Sequence, residues 1–248
     1  MTSPSAEASA ATSADPHTGP AADIVLLPGL WLPGSAWADV AALLAELGHR
    51  PVVPVLPGVD DGSTSATLDD QLAAVLTAVD AADRPVVVGH SAASTLAWLA
   101  ADRRPEAVRR VVMIGGFADS DGGVYAELFP IVDGVMSFPG WEPFEGPDAD
   151  DLDAATRVAF AESAVPVPEG VASGVVRLSD ERRFAVPVTL VCPEFSPDDA
   201  RAWVAAGDLP ELARVRALSY VDLDSGHWPM LSGPDALARL LDRVLRDG

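Results

Sequence analysis

The chain alternates short apolar runs with longer segments whose apolar residues recur at helical spacing. IVLLP (24–28) predicts a buried strand, the segment 35–47 a helix, and VVPV (52–55) a second strand. TLDDQLAAVLTAVDAA (67–82) predicts an amphipathic helix, with Thr67 as N-cap and Asp70 at the capping-box position. PVVVG (85–89), a helix at 92–103 and VRRVVMIGG (108–116) continue the rhythm. VPVTLVC (186–192) resumes it after a long gap. A helix at 198–206, a strand at 217–223 and a helix at 234–246 close the chain. Apolar, β-branched strands separated by helices predict a mostly parallel, doubly wound α/β sheet of about six strands.

Residues 117 to about 184 break this rhythm. The stretch is rich in Gly, Pro and Asp, with helix candidates at 123–133 and 150–163, and all seven Phe of the chain fall between 117 and 195. An insertion with its own helices and aromatics, placed after a strand end, predicts a lid, because ligands bind beyond the carboxyl ends of such strands. Residues 1–22 are small, polar and Pro-containing, without the basic start and apolar stretch of a signal peptide. They predict a disordered tail ahead of one domain at 23–248.

Composition narrows the function classes. A formal charge of -21 argues against nucleic acid and anionic membranes, since both need clustered positive charge. No apolar stretch reaches the roughly 18 residues of a membrane helix, so a cytoplasmic location is expected. A small-molecule substrate is the expected partner, and monomer and homodimer both stay open. Cys192 is the single cysteine, so no intrachain disulfide forms; its place in VTLVC predicts a core residue. All 16 basic residues are Arg. No His/Cys/Asp spacing suggests a metal, and GHSAAS lacks the Lys and glycines of a phosphate loop, so no cofactor is expected.

The chemistry begins at Gly89-His90-Ser91-Ala92-Ala93, where a buried strand meets a helix. A nucleophile on such a forced turn needs small neighbours, usually glycine two residues to either side; here Gly89 and Ala93 hold those places. The helix behind it points its N-terminus at the serine, which favours developing negative charge. Of the four histidines, His17 lies in the tail, His49 in a turn expected to be exposed, and His90 beside the serine with its ring directed elsewhere. His227, between the last strand and the last helix, is left as the base. The N–H groups of Ala92 and of Leu30, in LLPGLWLPGSAW (26–37), are the expected oxyanion donors, with Gly29 giving that loop backbone freedom.

LLPGLWLPGSAW, GHSAA and SGHW, in this order and spacing, resemble the α/β-hydrolase superfamily over residues 24–246. TLVCPEFSPDDARAW and DSGHWPM look like its plant methylesterase and hydroxynitrile-lyase branch and bacterial relatives. The resemblance implies an α/β-hydrolase fold, Ser91 as nucleophile, His227 as general base and acid, and Leu30 and Ala92 as oxyanion donors. It also implies an acid after the strand ending at Cys192. That loop reads Pro193-Glu194-Phe195-Ser196-Pro197, with no Asp in its first four positions; Glu194 is the nearest carboxylate and the first candidate, since a Glu can orient an imidazole as Asp does. Asp119 is the second candidate for the acid; Asp198, read as a helix cap, and Asp224 are weaker.

Three function classes follow. The first is a serine esterase acting on a small apolar or aromatic substrate, with Trp31 and Trp228 near the reacting groups; thioesterase and lactonase chemistry would use the same residues. Hydroxynitrile-lyase chemistry, as the family implies, needs a Lys that this chain lacks. The third is a non-catalytic ligand-binding protein on the hydrolase fold.

Overall fold

A computed structural model describes residues 21–246. In chain order the elements are β1 (Asp23–Leu27), α1 (Ala38–Glu46), β2 (Arg50–Val52), α2 (Leu68–Asp80), β3 (Val86–His90), α3 (Ala93–Arg103) and β4 (Arg110–Ile114). The insertion then holds β5 (Val135–Met136), α4 (Ala154–Ser163), β6 (Val167–Pro168) and the single turn α5 (Glu169–Ala172). β7 (Val188–Cys192), α6 (Pro197–Ala206), α7 (Pro210–Ala213), β8 (Leu218–Asp222), α8 (Pro229–Ser232) and α9 (Pro234–Arg246) complete the chain.

Six strands form one parallel sheet in the order β2-β1-β3-β4-β7-β8; β5 and β6 pair separately and antiparallel. Every residue of β3 and β7 is buried, as expected of central strands covered by helices on both faces. The order reverses at β1, whose neighbours are β2 and β3, so the carboxyl ends of β1 and β3 open on the crevice where ligands bind in such sheets. The predicted capping box on α2 is present: Asp70 N–H donates to Thr67 Oγ1 at 3.2 Å and Thr67 N–H to Asp70 Oδ2 at 2.9 Å. Among the described residues no helix is long and apolar enough to cross a membrane.

Some expectations need correction. The second strand is Arg50–Val52 rather than 52–55; it is an edge strand, which tolerates Pro51 but leaves Val52 and Val55 exposed. Residues 123–133 are not a helix. Tyr125 and Ala126 donate their N–H groups to the carbonyls of Gly174 and Ala172, and Val132 and Val135 exchange backbone hydrogen bonds. Pro130 removes one donor a helix would need, and Asp133 turns the chain at φ +52°. The second insertion helix starts at Ala154, where Asp153 Oδ1 caps Thr156 N–H at 2.7 Å. His49 is buried, not exposed; its Nε2–H donates to Asp242 Oδ1 at 2.8 Å and its Nδ1 accepts Ala22 N–H. Of the tail expected over residues 1–22, residues 1–20 lie outside the described residues, while Ala22 is already buried beside β1. Cys192 is buried in β7, and burial pushes its thiol up to about 12.

Candidate active site

Ser91 directly follows β3 in a left-handed conformation, φ +55°, that an L-residue adopts only under constraint. Its N–H donates to Ile114 O at 2.8 Å, and its carbonyl accepts Ser94 N–H at 2.9 Å as α3 begins. Two glycines make room for this turn. A Cβ on Gly89 would lie 2.2 Å from Ala93 O, and one on Gly116 would lie 2.2 Å from Ser91 O. Gly116 was not singled out by sequence; the paired glycines at the end of β4 are the signal that could have found it.

His227 stands on the loop after β8. Its Nε2 is 2.9 Å from Ser91 Oγ, and its Nδ1 is 2.7 Å from Glu194 Oε1. A carboxylate only accepts, so Nδ1 carries the proton and Nε2 is free to accept from the serine hydroxyl. Glu194 lies two residues beyond β7, and its side chain and that of His227 are about equally shielded, at 14% and 15% exposure. Gly115, at φ +58°, clears space for the pair: a Cβ there would sit 3.2 Å from both His227 Nδ1 and Glu194 Oε2. Glu194 Oε2 is buried without a hydrogen-bond partner.

The other carboxylates lie elsewhere. Asp119 is engaged with Thr95, 3.1 Å from its hydroxyl, and burial raises its pKa. Asp198 is exposed and pairs with Arg201 at 2.6 Å; Ser196, not Asp198, caps α6. Asp224 is exposed.

His90 directs its ring away from the serine, as expected, but not away from the site. Its Nε2–H donates to the carbonyl of His227 at 2.7 Å, and its Nδ1 is buried without a partner. Burial, with the charge of His227, holds its pKa down at about 3, so the ring is neutral. Gly29 packs directly on it: a Cβ there would lie 2.5 Å from His90 Nδ1. Gly29 therefore serves close approach rather than an unusual φ; the left-handed residue of that loop is Trp31, at φ +63°. Among the described residues, neither the N–H of Leu30 nor that of Ala92 finds an acceptor within the protein.

The insertion packs against the His227 loop and the Trp31 loop. Asp148 O accepts His227 N–H, and Asp151 Oδ2 accepts Gly226 N–H, both at 2.7 Å. Val165 N–H donates to Trp31 O, and Trp31 Nε1–H to Met136 O. Trp31 meets Phe129, Phe138 and Phe144, while Trp228 meets Trp141, Phe144 and Phe160. Most of the insertion's aromatics thus build its own core. A cavity of about 140 Å³ opens at Ser91 and His227, walled by Leu30, Trp31, Leu128, Phe144 and Trp228, with Asp148 on its lining. Neither the Asp148–Asp151 clamp nor the His90 contact was visible in the sequence.

Residues 24–240 match the alpha/beta hydrolase family. A carbendazim hydrolyzing esterase of Nocardioides sp. (strain SG-4G) is 30% identical over 115 residues, 44% of this chain, and the match spans about half of that protein (48%). An extracellular alpha/beta-hydrolase from a Paenibacillus species, related in structure and function to tobacco salicylic acid binding protein 2, superposes with a TM-score of 0.72 at 18% identity, covering 90% of this chain and 98% of that one. A pyrethroid hydrolase from Sphingobium faniae JZ-2 gives 0.68 at 17% identity, over 92% and 98%. An Arabidopsis methylesterase gives 0.68 at 14% identity, over 90% and 98%. With the family match running from β1 into α9, the chain belongs to the alpha/beta hydrolase family.

Proposed function

We propose that this chain is a carboxylesterase acting through an acyl-enzyme on small apolar or aromatic esters. The observation that carries the reading is the continuous hydrogen-bond line from Ser91 Oγ through His227 to Glu194. Ser91 Oγ attacks the ester carbonyl while its proton passes to His227 Nε2. Glu194 holds the Nδ1–H tautomer and stabilises the imidazolium that forms. The N–H groups of Leu30 and Ala92 receive the oxyanion. His227 then protonates the leaving alcohol, and a water molecule, activated by the same imidazole, releases the acid. The insertion acts as the lid that shields these charges from water, which strengthens each interaction. The names of the relatives, an esterase and a methylesterase among them, support the same reaction class.

Cavity size bears on the substrate. About 140 Å³ is close to the roughly 150 Å³ that accommodates a benzene ring. The acyl pocket therefore suits short chains. The test is hydrolysis of p-nitrophenyl esters from C2 to C8, with Ser91→Ala beside the wild type. Turnover should be greatest at C2 to C4 and vanish in the variant. Turnover that survives in Ser91→Ala would overturn the nucleophile assignment.

A further inference from the structure

Asp148 is the one acidic residue on the lining of the Ser91 cavity, and ester hydrolysis as derived above does not need its charge. The residue is anchored by its backbone, whose carbonyl accepts His227 N–H at 2.7 Å. Its carboxylate is not spent inside the protein: among the described residues no hydrogen bond or ion pair reaches it. Arg157, on the helix that follows, is committed elsewhere, to the carbonyls of Ala149 and Leu152 and to the Trp141 ring. Burial raises the Asp148 pKa; the charge of His227 opposes this and that of Glu194 adds to it.

A partly desolvated carboxylate that no hydrogen bond or ion pair satisfies is an unmet electrostatic demand. Its neighbours on the lining are Trp31, Phe144 and Trp228, and aromatic faces attract organic cations. No Arg lines the cavity to pair with an anionic substituent. We propose that Asp148, with these aromatic walls, makes the site select esters that carry a cationic nitrogen near the scissile bond. This inference rests on the esterase reading above.

The experiment compares acetylcholine with 3,3-dimethylbutyl acetate, an isosteric pair that differs in charge, at pH 8. The readout is the ratio of kcat/KM for the two esters within each variant, so losses of folded enzyme cancel. Wild type should favour the cationic ester at least about tenfold. Asp148→Asn should bring the ratio near one, and Asp148→Glu should restore most of it. A wild-type ratio near one, or a ratio unchanged in Asp148→Asn, overturns the proposal. If neither ester turns over, the esterase reading is what fails, and calorimetric binding of benzyltrimethylammonium decides the charge selection alone. Binding weakened about tenfold by Asp148→Asn supports it; equal or absent binding overturns it.

Discussion

Replacing Glu194 with Gln tests the least conventional member of the site. The substitution keeps size and shape and removes one charge. In the transition state His227 becomes an imidazolium whose Nδ1–H lies 2.7 Å from Glu194 Oε1. With the charge centres about 4 Å apart, Coulomb's law at an effective dielectric of about 20 gives about 4 kcal/mol. At about 1.4 kcal/mol per factor of ten, that is a loss of about 10³-fold in kcat. Screening is modest because both side chains are about six-sevenths shielded. A second effect acts in the same direction. Glu194 Oε2 has no partner, so a glutamine gains no hydrogen bond by placing its NH₂ there. Turned instead toward His227, the NH₂ would force the proton onto Nε2, where it blocks transfer from Ser91. Asp119→Asn is the matched control, since Asp119 is engaged with Thr95. The assay is p-nitrophenyl acetate hydrolysis under saturation, with thermal melts to show that each variant is folded. Glu194→Gln within tenfold of wild type, or Asp119→Asn down a hundredfold, would refute the assignment of the acid.

Two further perturbations probe what supports the site. His90 is held neutral, its pKa lowered from about 6.5 to about 3, so the unfolded chain binds one more proton between these values and stability falls as pH drops through that window. His90→Gln should therefore lose less stability than wild type on acidification, by about 1.4 kcal/mol per pH unit between pH 6 and pH 4; urea denaturation at three pH values measures the difference, and parallel slopes would count against it. A Cβ on Gly226 would lie 2.3 Å from Asp151 Oδ1 and 2.4 Å from Asp148 O, so Gly226→Ala must push the His227 loop off the insertion. It should lower kcat at least about tenfold and cost about 1–3 kcal/mol of stability, from overpacking, and kinetics with a melt on the same sample would show both.

What the sequence made legible was local. Uninterrupted β-branched runs announce the buried inner strands, so most of the sheet emerges from patterning, while VVPV misplaces the exposed edge strand β2. Ser91 is found from its strand end, His227 by elimination among four histidines, and Glu194 from the loop where the family resemblance expects an acid; the fold brings these side chains together. The failures share the opposite character. Val124, Leu128 and Val132 recur every four residues and so imitate the apolar stripe of a helix. In the structure all three are exposed, at 48%, 66% and 63%, and the backbone of the segment pairs with residues 172–176 instead. His49 looks like an exposed turn residue until Asp242 arrives from a helix 193 positions away. The contact between His90 and the His227 carbonyl spans 137 positions, and Asp151 reaches Gly226 across 75. No local pattern encodes such pairs.

The alanine at position 93 shows how a departure from pattern is resolved by geometry. A strand-to-helix turn around a nucleophile asks for small residues because backbone segments cross at close range. Here those crossings are at Gly89, where an added Cβ would meet the Ala93 carbonyl at 2.2 Å, and at Gly116, where it would meet the Ser91 carbonyl at 2.2 Å. Neither crossing involves the Ala93 side chain, which is fully buried at the start of α3, and Ala93 is not among the positive-φ residues. The strain is concentrated on Ser91 itself, at φ +55°. A second glycine after the serine is therefore not what this turn requires. The requirement has moved to a glycine 25 positions later, at the end of the neighbouring strand, and a local motif centred on Ser91 contains no trace of it.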